Sequence, residues 1–273
     1  MLRPLLLAMA LAAPAAAQPA QPWAAVPGPS AGPARSVGGA ALGCLAGAAQ
    51  LPPEGPGWQA VRLSRNRHWA HPDTVRWVQG FAARARAAGL PDILVGDMSQ
   101  PRGGPMPYGH ASHQTGLDVD IWLDATPGRG PLSRAQREDW PVASLVLPDQ
   151  SGLDPARFTP AHERLIRLAA EAPGVDRVLV NHGIKRGLCA RHPGAPWLRK
   201  LRPWRGHDSH MHVRLPCPAG SPDCLPAPPI PAGDGCDGSL DWWLTKEARR
   251  PAARPPGPPP RLPAACASLL RQP

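Results

Sequence analysis

Gly109-His110-Ala111-Ser112-His113-Gln114-Thr115-Gly116-Leu117-Asp118-Val119-Asp120-Ile121-Trp122-Leu123 changes character halfway along. Its first half is small, polar and bounded by glycine, the composition of a turn. From Leu117 it alternates. Leu117, Val119, Ile121 and Leu123 fall on one side, and Asp118, Asp120 and Trp122 on the other. Successive side chains of a strand point to opposite faces, so this stretch predicts a half-buried strand with two carboxylates on one face. Further along, His207-Asp208-Ser209-His210-Met211-His212-Val213-Arg214-Leu215 does the same. Met211, Val213 and Leu215 turn inward, and His210, His212 and Arg214 share the opposite face. Two such strands in one antiparallel sheet would aim carboxylate and imidazole at one point. Five of the ten histidines lie in these two segments.

One aspartate and two histidines leave a tetrahedral zinc ion with an open fourth position, the mark of a catalytic site as against a structural one. Zinc lowers the pKa of water towards neutrality and polarises a carbonyl. A base must still take a proton. Neither segment contains glutamate and no His-Glu-x-x-His motif occurs, so the expected base is a histidine. His210 is the first candidate, and His207 a second for holding substrate or transition-state charge.

The chain has 273 residues, 42% of them hydrophobic, enough for one large domain or two small ones. Its net charge of +10 comes almost wholly from arginine, without a concentrated basic run. That argues against nucleic acid as a partner and suits an anionic cell envelope. Met1-Leu2-Arg3, the apolar run Leu5 to Ala13 and Ala15-Ala16-Ala17 predict a signal peptide over residues 1–17. No later segment is long and apolar enough for a membrane span in the mature chain. Six cysteines in an exported chain predict three disulfides, and no Cys-x-x-Cys pair exists. Cys217 and Cys224 bracket a short proline-containing loop. Spacing leaves the other pairings open.

Residues 18–35 are Pro/Ala/Gly-rich and predict a flexible segment, and 36–273 a single domain ending in a Pro-rich arm. Helical spacing marks Pro72 to Gly89 and Pro160 to Glu171, the second with Thr159 as its cap. Asp92 to Ser99, through Ile93-Leu94-Val95, and Arg177 to Asn181 read as strands, and 125–158 as irregular. The expected fold class is α+β. A small antiparallel sheet carries the zinc site, with flanking helices and long Pro-rich loops tied by disulfides.

The spacings His113-x6-Asp120 and His210-x-His212 resemble those of the zinc metallopeptidases that include lysostaphin-type, D-Ala-D-Ala and hedgehog-like folds. Closer likeness lies around them. Ser99-Gln100-Pro101-Arg102-Gly103-Gly104-Pro105, the stretch from Gly109 to Ile121, Leu198 to Trp204 and His207 to Leu215 resemble the penicillin-insensitive murein endopeptidases. So do Val180-Asn181, Ile184-Lys185, Leu188-Cys189 and Gly233 to Cys236, so that the likeness spans roughly 36–245. It implies a periplasmic zinc enzyme that hydrolyses the D-alanyl–meso-diaminopimelyl cross-link of peptidoglycan. It further implies His113, Asp120 and His212 as zinc ligands, His110 as a further metal-associated histidine, His210 as base and His207 as an active-site partner. The implied disulfides are Cys44–Cys266, Cys189–Cys236 and Cys217–Cys224. Asp149 matches half of a second metal position, whose histidine is replaced here by Gly152. Two other readings stand beside this one. One is a D-Ala-D-Ala dipeptidase or carboxypeptidase with the same metal architecture. The other is a non-catalytic zinc-containing cell-wall binding protein. Asp118 is expected to hydrogen-bond and not to ligate. Arg102 and Arg214 are candidates for substrate carboxylates or for internal salt bridges, and Trp204 for the groove wall.

Overall fold

The computed structural model describes residues 20–250 and 260–272. The expected signal peptide and most of the proline run lie outside the described residues. The helices are α1 (Gln21–Ala24), α2 (Pro72–Ala87), α3 (Arg134–Asp139), α4 (Pro160–Glu171), α5 (His182–Arg191), α6 (Lys246–Arg249) and α7 (Ala264–Leu270). The strands are β1 (Arg35–Gly39), β2 (Leu42–Ala46), β3 (Ala49–Gln50), β4 (Glu54–Gly55), β5 (Trp58–Ala60), β6 (Trp69–Ala70), β7 (Ile93–Val95), β8 (Asp118–Trp122), β9 (Arg177–Val180), β10 (Leu201–Pro203) and β11 (His210–Arg214). The class is α+β, as expected.

Seven strands form the main sheet, in the order β10-β9-β11-β8-β7-β5-β4. It is larger than the sheet expected from sequence, and mixed. Its middle, β9-β11-β8-β7, is antiparallel, but β10 runs parallel to β9 and β7 parallel to β5. Parallel neighbours need a crossover, and helices supply it. α2 lies between β5 and β7, and α5 between β9 and β10.

α2 buries Val75, Val78, Phe81, Ala82 and Ala85, the face its spacing predicts. His71 Nδ1 caps it by accepting from the Asp73 N–H (3.2 Å). In α4, His162 Nδ1 reaches back to accept from the Thr159 N–H (3.1 Å), the part glutamate takes in a capping box. Leu165, Ile166 and Ala169 of α4 join Val119, Ile121, Val178, Met211 and Val213 of the sheet in one core.

Three segments differ from expectation. The 125–158 region contains α3, which starts at a Ser133/Gln136 capping box. α5 went unread because two glycines and a buried lysine break its apolar period; Asn181 Oδ1 starts it by accepting from the Gly183 N–H (2.7 Å). Residues 20–35, expected to be flexible, include α1, whose Trp23 is fully buried with Cys44, Cys266 and Leu269. One indole buries enough area to anchor a chain that composition alone would leave loose. Gly104 leaves room for that ring, since a Cβ there would stand 2.2 Å from it.

The disulfides are Cys44–Cys266, Cys189–Cys236 and Cys217–Cys224, the pairs the resemblance implies. Cys44–Cys266 ties α7 to β2 across a separation of 222 residues. In the chain-entropy view a loop of that length is worth about 5 kcal/mol.

Candidate metal centre

β8 and β11 pair in a register that sets His212 opposite Asp120, Arg214 opposite Asp118 and His210 opposite Trp122. The faces read from sequence therefore coincide in space. His212 Nδ1 lies 3.3 Å from Asp120 Oδ1, and His113 Nε2 lies 3.4 Å from the same oxygen. His110 Nδ1 is 3.6 Å and His210 Nε2 3.7 Å from Asp120 Oδ2. Ligand atoms of His110, His113 and Asp120 lie within 4.8 Å of one another.

His113 arrives from the turn before β8 in the left-handed region, with φ of 68°. Two hydrogen bonds hold it there. Its backbone N–H donates to Asp118 Oδ2 (2.9 Å), and its ring Nδ1 faces the Met98 carbonyl (2.5 Å). A carbonyl only accepts, so Nδ1 carries the proton and Nε2 presents its lone pair to the centre. Asp118 does three further things. It accepts from Arg214 Nε (2.6 Å) and Nη2 (3.0 Å), and its Oδ1 stands 3.0 Å from His212 Nε2. His212 thus has one carboxylate at ion-pair distance from its outer nitrogen while the inner one faces Asp120. That is how proteins orient a metal-binding imidazole.

The residues fit a metal ion. Among the described residues, the buried His113 Nε2 and Asp120 Oδ1 have no hydrogen-bond partner. Imidazole nitrogen with carboxylate oxygen is a donor set for a divalent transition metal. Charge agrees. Burial opposes ionisation of Asp120, yet His113 and His210 outweigh it and hold the carboxyl well below the usual range. Burial likewise opposes protonation of His212, but Asp118 and then Asp120 raise its pKa to about 9. The centre favours positive charge between its carboxylates. Burial lowers the pKa of His113, with Asp120 opposing.

His207 also has positive φ, at 54°. Asn181 pins its loop: the Asn181 N–H donates to the His207 carbonyl (2.8 Å) and Nδ2 to that of Gly206 (3.0 Å). Burial, then His210 and His212, push the His207 pKa down to about 4. Its Nδ1 donates to the Arg205 carbonyl (2.7 Å), which leaves Nε2 as an acceptor. The His207 and His210 rings are 4.8 Å apart.

A groove of about 790 Å³ opens beside the centre, lined by His110, His207 and His212, with Trp204 on its wall. It continues past Leu179 to the Cys217–Cys224 loop. Asp149 faces another cavity, of about 280 Å³, with His182 and Trp243. Its Oδ1 accepts from Ser151 N (3.0 Å) and Oγ (2.8 Å), and Gly152 offers no side chain beside it. Arg102 is engaged elsewhere, donating from Nη1 to the carbonyls of Leu269 (3.0 Å) and Gln272 (2.6 Å) at the end of α7.

Asp97 escaped the sequence reading. It is buried and its Oδ2 takes Arg65 Nη1 (3.0 Å), Arg67 Nη1 (2.9 Å) and His110 Nε2 (3.0 Å), so it orients His110 as Asp118 orients His212. Burial opposes its ionisation, but His110 and then the two arginines lower its pKa to about 2. A lone aspartate after a short strand carries no pattern to mark it.

Fold and site together define a disulfide-bonded α+β protein with a histidine–carboxylate centre open to a groove, an arrangement suited to hydrolysis. The family model of the penicillin-insensitive murein endopeptidases matches residues 36–271. Penicillin-insensitive murein endopeptidases of Klebsiella pneumoniae and Yersinia enterocolitica are each 42% identical over 265 residues, 96% of this chain and 95% and 94% of theirs. That of Haemophilus influenzae is 41% identical over 245 residues, 89% of this chain and 84% of its own. The chain belongs to the penicillin-insensitive murein endopeptidase family.

Proposed function

We propose that this chain is a zinc-dependent murein endopeptidase that hydrolyses D-alanyl–meso-diaminopimelyl cross-links of peptidoglycan in the periplasm. The convergence of His113, Asp120 and His212 on one buried point beside a long groove, in a member of this family, carries the reading. The signal peptide expected over 1–17 and the three disulfides support export. The mature chain then starts at 18 and carries one metallopeptidase domain over 36–273, on which the preceding segment is anchored through Trp23.

In this reading His113 Nε2, an Asp120 oxygen and His212 Nδ1 hold the ion, and His110 stands by through Nδ1. Asp149 is left out of the ligand set. When bound, zinc polarises the scissile carbonyl and lowers the pKa of water. His210, on the same strand face as His212 and 3.7 Å from Asp120, is the base that takes the proton and returns it to the leaving amine. Neutral His207 offers Nε2 to an N–H of the substrate. Asp118 and Asp97 keep the imidazoles aimed. The groove runs on beyond the centre, which suits a cross-linked peptide better than the closed pocket a dipeptidase needs.

The test is mass analysis of purified muropeptide dimers incubated with the protein. Zinc-loaded protein should convert dimers to monomers. Chelator, His113→Ala, Asp120→Ala or His212→Ala should abolish conversion. Conversion that survived these changes would end the zinc reading.

A further inference from the structure

The face of the sheet that carries the centre has one more rung. One line across β8, β11 and β9 joins Asp120, His212 and Leu179, and the next joins Asp118, Arg214 and Arg177. Arg214 and Arg177 are therefore direct cross-strand partners. Both are mostly buried, with side chains 17% and 14% exposed, and both line the groove beside His212. Like charges directly opposite one another destabilise a strand pair. Two arginines on one rung therefore ask what anion they serve.

The protein's own carboxylates answer only in part. Asp118 occupies Nε and Nη2 of Arg214, but it also serves His212 and the His113 backbone. Asp176 takes Nε of Arg177 (2.6 Å), and the Pro228 carbonyl takes Nη2 (2.6 Å). A guanidinium has five N–H donors. Among the described residues neither Nη1 donates a hydrogen bond, and Arg177 and Arg214 both border the groove.

We infer that Arg177 and Arg214 form a carboxylate subsite that holds a free carboxylate of the stem peptide beside the scissile bond. Residues two apart on a strand are about 7 Å apart, so the pair stands one strand repeat from His212. A planar fork of donors matches a carboxylate better than a point charge does. The inference rests on the murein endopeptidase reading, whose substrate carries two such groups near the cross-link on the acceptor stem. One is the diaminopimelyl centre that adjoins the cross-link, and the other is the terminal D-alanine. Arg177 would set specificity directly. Arg214 would do so while also holding Asp118.

Three dimers separate the possibilities: unmodified, amidated at the diaminopimelyl carboxyl adjoining the cross-link, and amidated at the terminal D-alanine. With zinc-loaded wild-type protein, one amidation should lower kcat/KM roughly tenfold to a hundredfold, mainly through KM, and thereby name the carboxylate. Arg177→Met should lower cleavage of the unmodified dimer by the same factor, and the matching amidation should then cost that variant nothing more. Its zinc stoichiometry should stay at wild type, and kcat/KM is taken per folded molecule, because the lost Asp176 and Pro228 hydrogen bonds lower its urea midpoint. If Arg177→Met does not fold, Arg177→Lys and the wild-type comparison still decide. Equal cleavage of all three dimers by wild type would overturn the subsite and leave the endopeptidase reading standing. Cleavage of none would overturn the endopeptidase reading itself.

Discussion

Replacing Asp118 by asparagine keeps a side chain's shape and removes one charge from the middle of the centre. The carboxylate is fully buried and serves Arg214 at 2.6 and 3.0 Å, the His113 N–H at 2.9 Å and His212 at 3.0 Å. Burial opposes its ionisation, yet His212 and Arg214 hold its carboxyl well below the usual range. Asparagine has one acceptor oxygen, and its amide turns N–H groups toward donors. Arg214 is left buried with half its partner, and breaking such a pair costs about 3–5 kcal/mol. His212 also loses the group that orients its outer nitrogen, a change worth about tenfold to a hundredfold in metal affinity.

Two assays read these effects separately. Urea unfolding of metal-free protein, followed by tryptophan fluorescence, gives the stability loss. Competition with a zinc chelator gives the affinity. Asp118→Asn with Arg214→Met should be less destabilised than Asp118→Asn alone, because the second change removes the orphaned charge. A loss under about 1 kcal/mol with unchanged zinc affinity would refute the coupling of Asp118, Arg214 and His212.

Arg102→Ala tests a residue that sequence offered as a substrate contact and the structure seats on α7. It should cost about 2 kcal/mol of stability through lost charged hydrogen bonds, while kcat/KM per folded molecule stays unchanged. A KM rise without destabilisation would reverse that assignment. Lys185 gives the pH dependence. It is fully buried, with Nζ donating to the Leu198 (2.7 Å) and Asp234 (2.5 Å) carbonyls. Burial and then Arg202 push its pKa down to about 8 from an ordinary 10.5. Between those values the unfolded chain holds more protons than the native one, so this group's contribution to stability rises with pH. Urea midpoints at pH 7 and 10 should shift in favour of wild type over Lys185→Met as pH rises, and a shift the other way would refute the lowered pKa.

What was legible in the sequence is what repeats at short range. The alternation from Leu117 to Leu123 and from His210 to Leu215 revealed two strands and their polar faces. The spacing of Val75, Val78, Phe81 and Ala85 revealed α2. What stayed hidden is held by distant partners. Asp97 is a single acid whose meaning comes from Arg65, Arg67 and His110, and Trp23 a single indole whose pocket is built from β2, Gly104 and α7. The parallel β9–β10 edge was hidden because α5, its crossover, carries little apolar period of its own.

Fold and site are not independent here. A slip of one residue between β8 and β11 would turn every side chain of one strand to the other face. His212 and Arg214 would enter the core, and Met211 and Val213 would face Asp120 and Asp118. The hydrophobic side forbids this, because Met211, Val213, Val119 and Ile121 are all fully buried. The polar side forbids it too, because Asp118 grips Arg214 across the strands through two hydrogen bonds. The register that closes the core is therefore the one that assembles Asp120 with His212. A substitution that loosened the Asp118–Arg214 rung would be felt first at Asp120 and His212 one rung away, before the sheet itself gave way.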